Sequence, residues 1–240
     1  MLTLNIDSLP HITIKIFSQS PFPIILRIWR SSVVELPDTG THFGFVYQGY
    51  SHLSSHDQVE EPYRLLSGMY FCLPGKGTIL GEQSSGIVVT RTDYRGMFNL
   101  GGSIEKQGRL AYIDGGTSSL LIPPIILGDP CLNAMYLPSQ IDQTFHSHPS
   151  DRIGIIVAGR GTLETPQTVI PVESGTIFQI PANQHHKFRT TENALTLVVF
   201  HPDSDAGFTH QSHPMLQRTM VDGVSAVELP HIQTNIGKKN

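Results

Sequence analysis

The chain has 240 residues, 39% of them hydrophobic and 15% charged, with a formal net charge of −4. That is enough for one large domain or two ordinary ones with a real core; it excludes wholesale disorder and offers no basic block to grip nucleic acid. The opening Met1-Leu-Thr-Leu-Asn-Ile-Asp7 has no basic segment followed by a long apolar one, and no run approaches the ~20 apolar residues of a membrane span, so a soluble, cytoplasmic protein with no nucleic-acid and no membrane partner is expected.

Gly and Pro punctuate short runs rich in Val, Ile, Thr and Phe, the signature of many short strands joined by turns. In chain order, residues 24–34 read as a strand. Residues 57–66 read as a short helix, limited by Pro62. Residues 87–92 read as a strand. The apolar stretch 120–127 is broken by Pro123-Pro124. Residues 153–157 form an apolar run that Gly159-Arg160-Gly161 ends in a tight turn. Residues 176–180 make a strand stopped by Pro181, and residues 195–200 another, ended by His201-Pro202. Beyond it, residues 202–213 read as an irregular loop that could act as a lid, with His201, His210 and His213 capping the barrel mouth or, the favoured reading, as tail residues. Cys72 and Cys131, the only cysteines, fit no dense framework and read as reduced core residues.

The sequence repeats itself. Arg152-Ile-Gly-Ile-Ile-Val-Ala-Gly159 aligns with His42-Phe-Gly-Phe-Val-Tyr-Gln-Gly49 at an offset of 110. Ser174-Gly-Thr-Ile-Phe-Gln-Ile-Pro181 aligns with Ser67-Gly-Met-Tyr-Phe-Cys-Leu-Pro74 at 107, and Met220-Val-Asp-Gly223 with Tyr112-Ile-Asp-Gly115 at 108. Three matches in one order with a nearly constant offset define two units, residues 1–116 and 117–240. Both have all-β patterning.

Metal chemistry leaves a trace in the second unit. His146 and His148 stand two apart, so one strand would aim both rings into one cavity. His186, five residues beyond Pro181, supplies a third imidazole from a neighbouring strand, with His185 as the weaker alternative. At these residues the chain resembles the cupins. Thr144-Phe-His146-Ser-His148-Pro-Ser-Asp-Arg152, closing at Gly159, is similar to the first cupin motif. Gly175-Thr-Ile-Phe-Gln-Ile-Pro181-Ala-Asn-Gln-His-His186 is similar to the second. The resemblance, strong over residues 140–200, implies two tandem jelly-roll barrels, each a double-stranded β-helix. It also implies one divalent metal near a barrel mouth, held by His146, His148 and His186.

Three departures stand out. Gln140 and Asn183 replace the usual glycines, and Asn tolerates a left-handed turn. Arg152 occupies the usual carboxylate-ligand position, and arginine cannot ligate a metal. Neighbouring Asp151 should face the other side of the strand. In the first unit the matching positions hold Leu36, Asp38 and Ile79, so no triad survives there; His42 aligns with Arg152, and His42, His52 and His56 read as loop residues. The first barrel is expected to be structural.

Alternation turns Arg152 inward with Gly154 and Ile156. A guanidinium beside a divalent cation is costly unless offset, either by a buried carboxylate or by an anionic ligand bound jointly by metal and arginine. A three-His set with open positions suits iron(II), although Zn, Ni, Cu or Mn would also bind. Two functions from different classes follow. One is an iron(II)-dependent dioxygenase acting on a small anionic organic molecule, with Arg152 holding its carboxylate. The other is a non-catalytic cupin that binds a metal or a small regulatory ligand; a metal-dependent isomerase is a third option. A homodimer is left open.

Overall fold

The computed structural model describes residues 1–9, 12–16, 22–56, 61–204, 216 and 218–233. The first half supplies strands β1 (Leu2–Asn5), β2 (Ile12–Ile16), β3 (Ile24–Leu36), β4 (Thr41–Ser55), β5 (Tyr63–Leu66), β6 (Tyr70–Pro74), β7 (Gly77–Arg91) and β8 (Asn99–Gly101). The second supplies β9 (Leu110–Ala111), β10 (Thr117–Ile122), β11 (Cys131–Leu137), β12 (Arg152–Glu164), β13 (Val169–Glu173), β14 (Thr176–Ile180), β15 (Lys187–Arg189) and β16 (Leu195–His201), then a small hairpin, β17 (Met220–Val221) and β18 (Val224–Ser225). The fold is nearly all β, as the turn-punctuated sequence requires.

Two antiparallel sheets each curl into a barrel. The first runs β2-β3-β7-β4-β6-β8, with β5 on β4; the second runs β1-β14-β12-β16-β11-β10-β9, with β13 and β15 on β12. The opening strand of the chain is thus lent to the second sheet, where Leu2 to Asn5 pair with Gln179 to Thr176.

Several sequence expectations change, among them the loop reading of His42 and His52, which both lie within β4. The run at residues 153–157 does not end in a turn at Gly159. β12 continues to Glu164, because Gly159 adopts φ +88° and a Cβ there would lie 1.7 Å from the Ala194 carbonyl oxygen. That bend lets β12 leave β14 and take up β13 and β15. The expected helix at 57–66 is replaced, over Tyr63–Leu66, by a strand whose register on β4 buries Leu65; residues 57–60 lie outside the described residues. A period of two set by a distant partner overrides the local pattern. Finally, His201 is the last residue of β16, not a tail residue, because β11 pairs with β16 as far as Cys131 opposite His201. The lid reading, with His210 and His213, falls mostly on residues outside those described.

The core has three parts. Trp29, Leu36, Leu53, Phe71 and Ile79 fill the first barrel. Ile156, Leu163, Phe178, Phe188 and Leu197 fill the second. Between the barrels lies a shared layer with Phe43, Phe45, Ile87, Ile153, Ile155, Val198 and Phe200. Residues 43–47 of β4 and 153–156 of β12 are buried on both faces, which is why they read as short apolar runs without alternation.

The repeat persists in three dimensions. A Cβ on Gly44 would strike the Phe71 ring at 2.1 Å, and a Cβ on Gly154 the Phe178 ring at 2.6 Å. Gly49 and Gly159 share a left-handed bend, as do Gly68 and Gly175. The pairs Asp114-Gly115 and Asp222-Gly223 are left-handed too. Positions Leu36 and Ile79 belong to the apolar filling of the first barrel.

Candidate metal centre

The three predicted histidines meet. One nitrogen from each of His146, His148 and His186 lies within 4.8 Å of the others. Ring centroids are 5.0 Å apart for His146 and His148, 4.6 Å for His146 and His186, and 5.2 Å for His148 and His186. The pair His146 and His148 does not sit on a regular strand, as the spacing suggested. It lies on an irregular segment before β12, tied to the opposite chain by single bridges from Asp142 to Arg189 and from His146 to His186.

Two of the ligands are oriented by the backbone. His146 Nδ1 lies 2.9 Å from the Thr144 carbonyl and His186 Nδ1 lies 2.8 Å from the Gln184 carbonyl. A carbonyl only accepts, so both rings carry the proton on Nδ1 and turn the Nε2 lone pair outward. Burial, then Arg152 and the other two rings, lower His148 to about 3. Burial also lowers His186 to about 4, against the upward pull of the Gln184 carbonyl. Convergent imidazoles, two of them kept neutral by burial, are the donor set a divalent transition metal takes, so the triad fits such an ion. His185 is exposed and stands apart from the cluster.

Arg152 points inward, as alternation along β12 requires. It is 8% exposed and shares a cavity of about 230 Å³ with the three histidines. Its Nη1 donates to the Ser150 carbonyl (3.0 Å), the Ser150 hydroxyl (2.7 Å) and the Asp151 carbonyl (3.1 Å), while Nε is buried without a partner. Among the described residues no carboxylate lies within ion-pair distance of it. Burial lowers its pKa, with Cys131 and Asp203 acting in the opposite sense.

Asp151 faces away, also as expected, and is 0% exposed. Its carboxylate accepts the Ala182 N–H (2.8 Å) and the Gln179 side-chain amide (3.2 Å). Asn183, left-handed at φ +61°, donates its N–H to the His148 carbonyl (2.7 Å). The glycine-like step is therefore kept without glycine, and it locks the first histidine segment to the second. Gln140, at φ +62°, is left-handed at the other departure.

Sequence reasoning missed four further lining residues, Tyr112, Ser118, Asn133 and Gln143, and favoured a tail role for a fifth, His201. His201 Nε2 lies 3.3 Å from the Asn133 amide nitrogen. Burial, then Arg152 and His148, push its pKa well down. A signal existed in Asn133, a polar side chain inside the apolar run of β11. The remaining wall is apolar, with Met135, Phe178, Ile180, Phe188, Leu197 and Val199.

Comparison with known proteins agrees with the fold. Residues 134–201 match the family model of the cupin domain. The fold is similar to a Cupin 2 conserved barrel domain protein from Leptotrichia buccalis (14% identity, 83% of this chain and 95% of that one, TM-score 0.60). It is also similar to the oxalate decarboxylase of Bacillus subtilis, a protein with Mn(II) centres (7% identity, 88% and 80%, TM-score 0.55). A third likeness is to the salicylate 1,2-dioxygenase of Pseudoaminobacter salicylatoxidans, a mutant form in complex with gentisate (10% identity, 75% and 68%, TM-score 0.55). No curated protein sequence matches the chain.

Proposed function

We propose that this two-barrel chain of cupin fold is a mononuclear metal-dependent oxidoreductase, a dioxygenase-like enzyme acting on a small anionic organic substrate, with iron(II) as its metal. The observation that carries the reading is a buried arginine with an unpartnered Nε, in one small cavity with three convergent imidazoles. A buried cation with no carboxylate at ion-pair distance among the described residues calls for an anion to complete it, and a guanidinium matches a carboxylate in a two-point fork.

When bound, the metal supplies a Lewis-acidic anchor and the redox chemistry of dioxygen. The protein's own contribution is positional. His146, His148 and His186 would hold the ion on one side, leaving the rest of its coordination sphere toward the cavity. Arg152 would fix the substrate's carboxylate and cancel its charge. Phe178, Ile180, Leu197 and Val199 would exclude water, which strengthens that contact. A volume of about 230 Å³ restricts the substrate to a small molecule, below the usual ~300–1,000 Å³ of drug-sized sites.

The test is metal analysis of freshly purified protein, followed by oxygen uptake with iron(II) against a panel of aromatic and sulfur-containing acids. Iron with substrate-dependent oxygen consumption supports the enzyme. Tight zinc with no turnover across the panel overturns it in favour of a non-catalytic binding protein.

A further inference from the structure

We propose that the turn between β9 and β10 in the second sheet, residues 112–116, is a working part of the metal centre, with Asp114 and Tyr112 as positioning residues that hold His146 from two sides. The inference rests on the metal reading above.

The turn is closed on itself. Tyr112 N–H donates to the Gly116 carbonyl (2.9 Å) and Gly116 N–H to the Ile113 carbonyl (3.0 Å), with Asp114 and Gly115 left-handed at φ +53° and +84°. From it, the Asp114 carboxylate accepts the Thr144 N–H at 2.7 Å and the Thr144 hydroxyl at 3.3 Å. The carbonyl of the same Thr144 accepts the Nδ1 proton of His146 at 2.9 Å. A carboxylate outside the barrel therefore pins the residue whose carbonyl sets the tautomer and angle of a metal ligand. On the other side, the Tyr112 ring stands edge-on to the His146 ring, 6.4 Å between centroids at 78°, and lines the same cavity.

The segment holding His146 needs such a brace. It has no regular strand pairing, and is held by the bridges at His186 and Asp142 and by single backbone bonds from the Asn183 N–H to the His148 carbonyl and from the Gln143 N–H to the Phe188 carbonyl. The sequence repeat sharpens the point. Met220-Val-Asp-Gly223 copies the left-handed pair, with φ +50° at Asp222 and +82° at Gly223, but puts a 58% exposed Met220 where the first copy has Tyr112. The left-handed pair is duplicated; the ring against a ligand is not.

The test compares wild type with Asp114→Ala and Asp114→Asn in the full chain, by imidazole ¹⁵N NMR of metal-free protein and by cobalt(II) titration. Partners bonded directly to a ligand change metal affinity roughly 10–100-fold, so a brace one bond further out should be worth about 5-fold. Asp114→Ala should show His146 in mixed tautomers and bind cobalt(II) about 5-fold more weakly. Asp114→Asn keeps the acceptor and tolerates the left-handed backbone, so it should restore both. Should Asp114→Ala not fold, Asp114→Glu, which keeps the charge but displaces the acceptor, is read the same way. A wild-type tautomer and wild-type affinity in the alanine or glutamate variant overturn the proposal. If wild type takes up no cobalt(II), the metal reading fails, and the tautomer comparison still decides the role of Asp114.

Discussion

His146 and His186 are backbone partners as well as neighbours at the metal centre. The N–H of His146 donates to the His186 carbonyl at 3.0 Å, and the N–H of His186 returns a bond to the His146 carbonyl at 2.8 Å. Two residues 40 positions apart thus have their Cα positions fixed before any metal arrives, and their rings, centroids 4.6 Å apart, have only side-chain torsions left to settle. The desolvated His148 is held neutral beside them. Such a site spends little on ordering when an ion binds.

Replacing any one of the three with alanine leaves two imidazoles and no carboxylate to substitute for the third, because Asp151 is committed to Ala182 and Gln179. His146→Ala and His148→Ala should lose stoichiometric metal while keeping the fold. Elemental analysis after desalting checks this; a variant that retains a full equivalent of metal would refute the assignment.

Arg152→Ala separates the arginine from the metal. The variant should keep its metal and lose about 10–100-fold in affinity for a small carboxylate, the worth of a charged hydrogen bond in a dry site. Its stability should change little, since three hydrogen bonds to Ser150 and Asp151 are lost while an unpaired buried cation is removed. Calorimetric titration with a carboxylate panel and thermal unfolding read the two effects apart. Collapse of the fold would instead make Arg152 a structural residue.

The triad was legible because its signal is local: His-x-His, a strand-ending Pro181, and a third histidine at fixed spacing. Arg152 inward and Asp151 outward followed from alternation alone. The left-handed backbone at Asn183 followed from its chemistry. His201 was not legible, since a histidine before proline reads as the end of a strand, and only its register opposite Cys131 keeps it in the sheet. The same holds for Tyr63–Leu66, which read as helix, and for Leu2–Asn5, which crosses to the second sheet. In each case a partner distant in sequence decides, and no window of neighbouring residues contains that partner.

Arg91 should be the strongest single clamp between the barrels. From the end of β7 its Nη1 donates to the carbonyls of Pro202 (2.5 Å) and Gly128 (3.2 Å), its Nε to Asp93 (3.1 Å), and its guanidinium stacks 4.1 Å from the Phe22 ring. Arg91→Ala would strip two carbonyls of a donor and free the residue directly after His201. A loss of about 2–4 kcal/mol in urea unfolding is expected. A change under about 0.5 kcal/mol would show that the shared apolar layer alone holds the barrels together.

His42 should make the fold sensitive to acid. It is 0% exposed; Arg27 donates to the Thr90 hydroxyl, which lies 2.8 Å from His42 Nδ1, and Nε2 lies 3.0 Å from the Pro37 carbonyl. Thr90 therefore donates to Nδ1 and the ring donates through Nε2, an arrangement only neutral imidazole satisfies. Burial lowers the pKa to about 4, with the Arg27 and Arg95 charges adding to it and the Pro37 carbonyl opposing. In the unfolded chain the value returns to about 6.5. Between these limits the unfolded state binds the extra proton, so stability rises with pH. The contribution is whole above about 6.5, falls as the pH drops toward 4, and changes no further below that, for a total on the order of 3 kcal/mol. His148, His186 and His201 are lowered as well and add slope in the same direction, so the measurement is a difference. Urea unfolding of metal-free wild type and His42→Gln across roughly pH 4–7 should give a flatter profile for the variant, which keeps a donor near Pro37 but does not titrate. Parallel profiles would mean that His42 titrates alike in the folded and unfolded chain, and that the buried chain of contacts from Arg27 to Pro37 is not what acid breaks.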